Sequence, residues 1–171
     1  MRIAAFDIET TGFSSTYNRL VCACFKFSDE DKVRSKSALL SKDEGPLLTW
    51  IVKNYDRADV IVTWNGKLFD VYFVNGRLFQ TKRPPLDSKK MHRDLLYDAR
   101  RLRMTSCKMD HVAENMQTDH QKYHVPAREW IKAAEGNVKS HALIRKHCEN
   151  DVLITEELFE RFLPMIPRLT R

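Results

Sequence analysis

The 171 residues carry 29 Lys and Arg against 23 Asp and Glu, a formal charge of +6 at pH 7, and 43% of them are hydrophobic. That apolar fraction suffices for one core, so a single domain over residues 1–171 is expected. No apolar run reaches the ~18 residues of a membrane span, and the N-terminal MRIAAFDIETTG meets acidic groups at once; no signal peptide and a cytoplasmic, reducing setting are expected.

Residues 2–8, RIAAFDI, form a short apolar run that reads as a buried strand ending at carboxylates. Residues 20–27 read as a second strand and the alternating residues 32–38 as a third, at an edge; a turn at 28–31 would make these two a hairpin. Residues 43–55 have helical spacing at Leu47, Leu48, Ile51 and Val52, with Asp43 as a candidate N-cap and Pro46 in the first turn. DVIVT at 59–63 is a buried strand that ends in the turn WNG. A helix over 67–79 follows, with Leu68, Val71, Tyr72, Asn75 and Leu78 on neighbouring turns. After a break at 84–87, helices are predicted at 93–101, 108–115 and 126–134. The break at 136–137 precedes a last helix over 139–163, stopped by Pro164. The order implies an α/β fold: a mixed β-sheet, antiparallel at its start, flanked by helices.

Cys22 and Cys24, two apart in VCACF, belong on one side of their strand. With Cys107 and Cys148 they read as buried thiols; a zinc site is the alternative, without a paired C-x-x-C behind it. Between residues 77 and 108, ten basic residues stand against three acidic ones. Such a band suits a polyanion, and equally an ordinary solvated surface.

Asp7 and Glu9 lie two apart on the first strand, so their side chains share a face. Two adjacent carboxylates in an apolar strand repel each other and lose hydration unless a cation sits between them. They are therefore a metal-site candidate; exposed carboxylates on an open face are the alternative. Asp70 stands one turn into the helix after WNG, and Asn65 at the strand–helix junction. A lone Asp there is ordinarily favourable placement on the helix dipole. His147 and Asp151, four apart, share a face of the final helix with Ile144, Cys148, Thr155 and Leu158, and taken alone could be a core pair.

What changes these separate readings is their order along the chain. FDIETTG, WNGKLFD and HCENDV resemble the three motifs of the DEDD superfamily of 3′→5′ exonucleases, which have a ribonuclease-H-like fold. The second is similar to the N-x-x-x-F-D element of family B DNA polymerase exonuclease domains, the third to their Y-C-x-x-D element, and SCKMDHVAENM to their L-D-x-V-A helix. The third motif departs from that pattern, because His147 stands at the tyrosine spacing. Its ordinary pKa of about 6.5 lets histidine accept a proton near neutral pH, whereas tyrosine titrates near about 10.

The resemblance implies a two-metal hydrolysis of DNA, from single-stranded 3′ ends, to nucleoside monophosphates, with Mg²⁺ or Mn²⁺ as cofactor. Asp7 would bridge both ions, Glu9 and Asp151 would hold the ion that activates water, and Asp70 would hold the ion near the leaving 3′ oxygen. His147 would orient or deprotonate the water. Thr10 would meet the terminal 3′-OH, Phe13 would wedge between the last bases, and Asn65 would bind a phosphate. Arg100, Arg101 and Arg103 of the basic band would extend the track. The partner is nucleic acid, DNA rather than RNA, with no membrane and with docking on a replication or repair protein as an option. The competing readings are a ribonuclease or structure-specific endonuclease on the same fold, and a non-catalytic nucleic-acid-binding module.

Overall fold

In the computed structural model, which describes residues 1–165, the strand β1 (Ile3–Thr10) lies at the centre of a five-stranded sheet. Residues 166–171, which the sequence reading includes in the same domain, lie outside the described residues. β2 (Leu20–Phe27) pairs antiparallel with β1, and β3 (Arg34–Ser37) extends the hairpin outward. On the other side β4 (Val60–Thr63) and β5 (Met91–Asp94) run parallel to β1, giving the order β3-β2-β1-β4-β5. This is the expected mixed sheet with an antiparallel start.

Alternation along β1 sorts its residues between two layers. Ala4, Phe6 and Ile8 face a core built with α1 (Glu44–Arg57) and α2 (Asp70–Gln80). Phe6 stacks on Phe25 at 4.5 Å and meets the edge of Tyr55, so truncating it would cost about 3–5 kcal/mol. Ala5 faces the opposite layer, where Cys22 and Cys24 pack against Ile144, Cys148 and Val152 of α6 (Val138–Phe162). The two β2 cysteines thus share the expected side. A third cluster joins Val60 and Val62 of β4 to α3 (Leu95–Arg101), α4 (Met109–Asn115) and the C-terminal half of α6. α5 (Ala127–Ala134) packs on α6.

Several boundaries differ from the sequence reading. The helix expected over 67–79 begins only at Asp70, because Asn65 adopts a left-handed φ of 64° and its carbonyl accepts from the Leu68 and Phe69 N–H groups in a tight turn. Gly66 is required there, since a Cβ would lie 2.6 Å from the Thr63 side chain. The helix expected over 93–101 begins at Leu95, and the residues before it form the unforeseen strand β5. Asp43 does not cap α1; its carboxylate accepts from the Leu40 N–H instead. The third strand is shorter than 32–38, and Pro164 sits within a 3₁₀ turn rather than ending the helix outright.

Candidate active site

The face of β1 that carries Ala5 continues as Asp7 and Glu9. Small and acidic residues at these positions leave room under α6, whose apolar stripe is interrupted there by His147 and Asp151. β1 also outruns β4: their parallel pairing runs from Ile3–Val60 to Ala5–Val62. In the gap beyond, Asp70 at the start of α2 accepts from the Ile8 N–H at 3.1 Å. A ladder irregularity between Glu9 and Thr10 then turns the chain out of the sheet. Three separate elements thus bring Asp7, Glu9, Asp70, His147 and Asp151 to one end of β1.

Asp70, His147 and Asp151 are buried. His147 Nε2 lies 3.7 Å from Glu9 Oε1 and 3.7 Å from Asp151 Oδ2. Ligand atoms of Glu9, His147 and Asp151 all fall within 4.8 Å of one another, a grouping fit to hold a cation. Buried polar atoms are nearly always hydrogen-bonded, yet Asp7 Oδ2, Asp151 Oδ1 and His147 Nδ1 have no partner. The backbone behind them is held firmly: Thr155 Oγ1 donates to the Asp151 carbonyl at 2.8 Å, and Cys148 Sγ to that of Asp7 at 3.5 Å.

Burial, then repulsion from Asp70 and Asp151, pushes the Asp7 carboxyl well above the usual carboxylate range. Burial, then repulsion from Asp7, does the same to Glu9. Burial pushes Asp70 up to about 7 despite its backbone hydrogen bonds. Burial also lowers the His147 pKa; Asp151 opposes this while Lys122 and His124 add to it. An acidic cluster under this strain is suited to a divalent cation.

Sequence reasoning missed Lys122. It lies in the segment between α4 and α5, and its ammonium is ion-paired to Asp151 inside the cluster. Burial pulls its pKa down, but Asp151, Asp7 and Glu9 outweigh that and hold it above the ordinary lysine value. Neighbouring Tyr123 meets the His147 ring edge-on at 5.2 Å. The segment is tied to α6 by Asn150, which donates to the Gln121 carbonyl at 3.1 Å, and by Glu157, which accepts from Asp119 and His120. A lone lysine in a polar linker gave no local signal.

The remaining candidates fall around this centre. Thr10 ends β1, its hydroxyl donating to the Gly12 carbonyl at 2.7 Å. Phe13 is exposed on the following loop, 6.1 Å from the Phe69 ring. Asn65 sits in the turn before α2, its N–H donating to Asp94 Oδ1 at 2.8 Å. Arg100, Arg101 and Arg103 are exposed on α3 and the turn after it, where Arg101 lies 3.9 Å from the Asp98 carboxylate and the Arg100 guanidinium 5.6 Å from the Tyr97 ring. Much of the basic band serves the fold: Arg77 pairs with Glu44, Arg93 with Asp98, Arg83 with the Gly45 carbonyl, and Lys90 with the Ala58 carbonyl.

The sequence model of a family described as the RNase_H superfamily matches residues 4–163. No curated protein matches the sequence. Among solved structures, that of the family B DNA polymerase from the hyperthermophilic archaeon Pyrobaculum calidifontis is similar, with a TM-score of 0.78 and 20% identity over 96% of this chain and 25% of the polymerase chain. The likeness is one of fold, and this chain spans about a quarter of the polymerase chain's length.

Proposed function

The chain belongs to the RNase H superfamily, and on that premise we propose that it is a metal-dependent 3′→5′ exonuclease releasing nucleoside monophosphates from single-stranded DNA ends. The observation that carries this reading is the meeting of Asp7, Glu9, Asp70, His147 and Asp151 at one end of β1, with Asp7 Oδ2, Asp151 Oδ1 and His147 Nδ1 buried and without a partner. Lys122 is one built-in cation against the four carboxylates Asp7, Glu9, Asp70 and Asp151, which leaves the cluster short of positive charge.

Two bound divalent ions would neutralise the phosphodiester and lower the pKa of the attacking water. Asp7, whose carboxyl feels both Asp70 and Asp151, would serve both ions. Glu9 and Asp151 would hold one and Asp70 the other. His147, whose pKa burial lowers, would take a proton from water beside Glu9 and Asp151. Lys122 adds a fixed positive charge for the phosphate. Thr10 and Asn65 would position the terminal nucleotide, and Phe13 would stack on a base, worth ~1–3 kcal/mol. Arg100, Arg101 and Arg103 would meet phosphates further along. The motif resemblance to family B polymerase exonucleases favours DNA over RNA.

The test is digestion of a 5′-labelled single strand, as DNA and as RNA, with Mg²⁺, with Mn²⁺ and in EDTA. A metal-dependent ladder shortening one nucleotide at a time from the 3′ end of DNA is expected. Internal cuts would replace the exonuclease reading with an endonuclease, preference for RNA with a ribonuclease, and no cleavage with a binding module.

A further inference from the structure

The face formed by α2, the loop after it and α3 has a charge pattern opposite to that of the carboxylate cluster. From Gly66 to Arg103 the chain holds four acidic residues, and Asp70, Asp94 and Asp98 are buried, which leaves Asp87 as the exposed acid of the stretch. Lys67, Lys82, Lys89, Arg100, Arg101 and Arg103 are all exposed.

Large apolar side chains stand among these cations. Leu68 just before α2, and Tyr72 and Phe79 on it, project at helical spacing and are 58%, 68% and 66% exposed. Tyr97 of α3, 40% exposed, lines with Tyr72 and Leu68 a groove of about 520 Å³ that is also lined by Val71, Leu86, Lys90 and the exposed Asp87. The Arg100 guanidinium lies 5.6 Å from the Tyr97 ring. Lys67, three residues before Asp70 in the chain, also lines the groove.

An exposed apolar surface of this kind marks a binding face. Rings among cations, with three of the four acids of the stretch buried and Asp87 alone facing the groove beside Lys67 and Lys90, match a single strand: bases stack on rings whatever their identity, and phosphates pair with ammonium and guanidinium groups. An apolar protein partner would use the rings but gains nothing from the removal of acids.

We propose that this face is a binding track for the body of a single-stranded nucleic acid, with bases stacked on Tyr72 and Tyr97 and phosphates against Lys67 and Arg100. The track deepens the nuclease reading above and rests on it for the direction in which the strand is threaded.

The test is fluorescence anisotropy in EDTA, where hydrolysis cannot proceed, with 5′-labelled oligothymidylates of about three and about ten nucleotides. The wild type binds the longer strand more tightly. Tyr72→Ala and Tyr97→Ala each lose roughly tenfold of that affinity, and more for the long strand than for the short. Lys67→Gln with Arg100→Gln flattens the dependence of log Kd on log salt by about one unit or more. Ile131→Ala, an exposed apolar residue on α5, serves as the control and binds as wild type. Thermal melting checks that each variant is folded. If folded tyrosine variants bind the long strand like wild type, or if the wild type binds no strand, the track is overturned, whatever the digestion products show. If Tyr72 and Tyr97 support binding while no metal supports cleavage, the track stands and the nuclease reading falls.

Discussion

Two sets of carboxylates in the fold are held in opposite ways. Asp94 accepts from the N–H groups of Asn65, Lys67 and Leu96, Asp98 is clasped by Arg93, and Glu44 takes Arg77 and the Leu20 N–H. Asp7 and Asp151 each bury an oxygen with no partner. Residue type is the same; the donors differ. A buried charge whose partners are built in strengthens the fold, whereas one whose partners are missing weakens it until a cation arrives from outside. The contrast marks out Asp7 and Asp151 among the acids of the fold without reference to any relative.

The largest effect should come from the unsatisfied set. Asp7→Ala removes the residue flanked by both Asp70 and Asp151, and the rate should fall on the order of a thousandfold or more, since a metal supplies several kcal/mol of charge stabilisation. The metal-free variant should melt no lower than wild type, because a strained charge has gone. Near-wild-type turnover would sink the assignment.

His147 tests whether the unsatisfied set does acid–base work as well as binding. His147→Ala should lower the rate by roughly 10²–10⁴, the usual contribution of a general base. Metal affinity, read by the melting shift on adding Mn²⁺, should be largely kept. The acid limb of the pH–rate profile, where a protonated His147 cannot accept a proton, should change in the variant. His147→Tyr should retain more activity than Ala and favour higher pH. Equal rates for Ala and wild type across that range would make His147 a packing residue.

Metal removal exposes the strain directly. Asp70 is raised from 3.8 to about 7 by burial, so its contribution to stability is full below the ordinary value and is lost as pH rises through about 7. At roughly 1.4 kcal/mol per unit this is on the order of 4 kcal/mol, and the raised Asp7 and Glu9 act in the same direction. In EDTA the melting temperature should therefore fall by roughly 10 °C between about pH 5 and about pH 8, and Mg²⁺ should restore it at the higher pH. A flat profile in EDTA, or one unchanged in Asp70→Asn, would break the comparison.

The sheet and the carboxylates were legible because they follow local rules: period two in RIAAFDI and VCACF, i to i+4 spacing for His147 and Asp151, and three motifs in order. β5 was not, since MHRD carries no apolar run and becomes a strand only by pairing with β4. Lys122 was hidden for a similar reason, as the folding of a polar linker onto α6 brings it to Asp151. Charge counting also merged two roles that contacts separate: Arg77 and Arg93 neutralise buried acids, while Arg100 and Arg103 face solvent.

The smallest predicted effect is the one that decides whether the satisfied set is structural. Asp94→Ala leaves three N–H donors without their acceptor, two of them in the turn that carries Asn65 and leads to Asp70. The Asn65 and Lys67 groups are only part-buried and can recruit water, so the loss is less than three full desolvation penalties. A cost of about 2–3 kcal/mol is expected, a fall of roughly 4–12 °C in melting temperature for a chain of this size. Activity should drop by about tenfold through looser placement of Asp70, well short of the Asp7→Ala loss. Mg²⁺ should not close the stability gap, because the missing partner is an acceptor and not a cation. The two substitutions thus move metal-free stability in opposite directions, Asp7→Ala upward or level and Asp94→Ala downward. Should Asp94→Ala melt with wild type in EDTA, the three hydrogen bonds are not what holds the turn, and burial with bonding no longer distinguishes the two sets of acids.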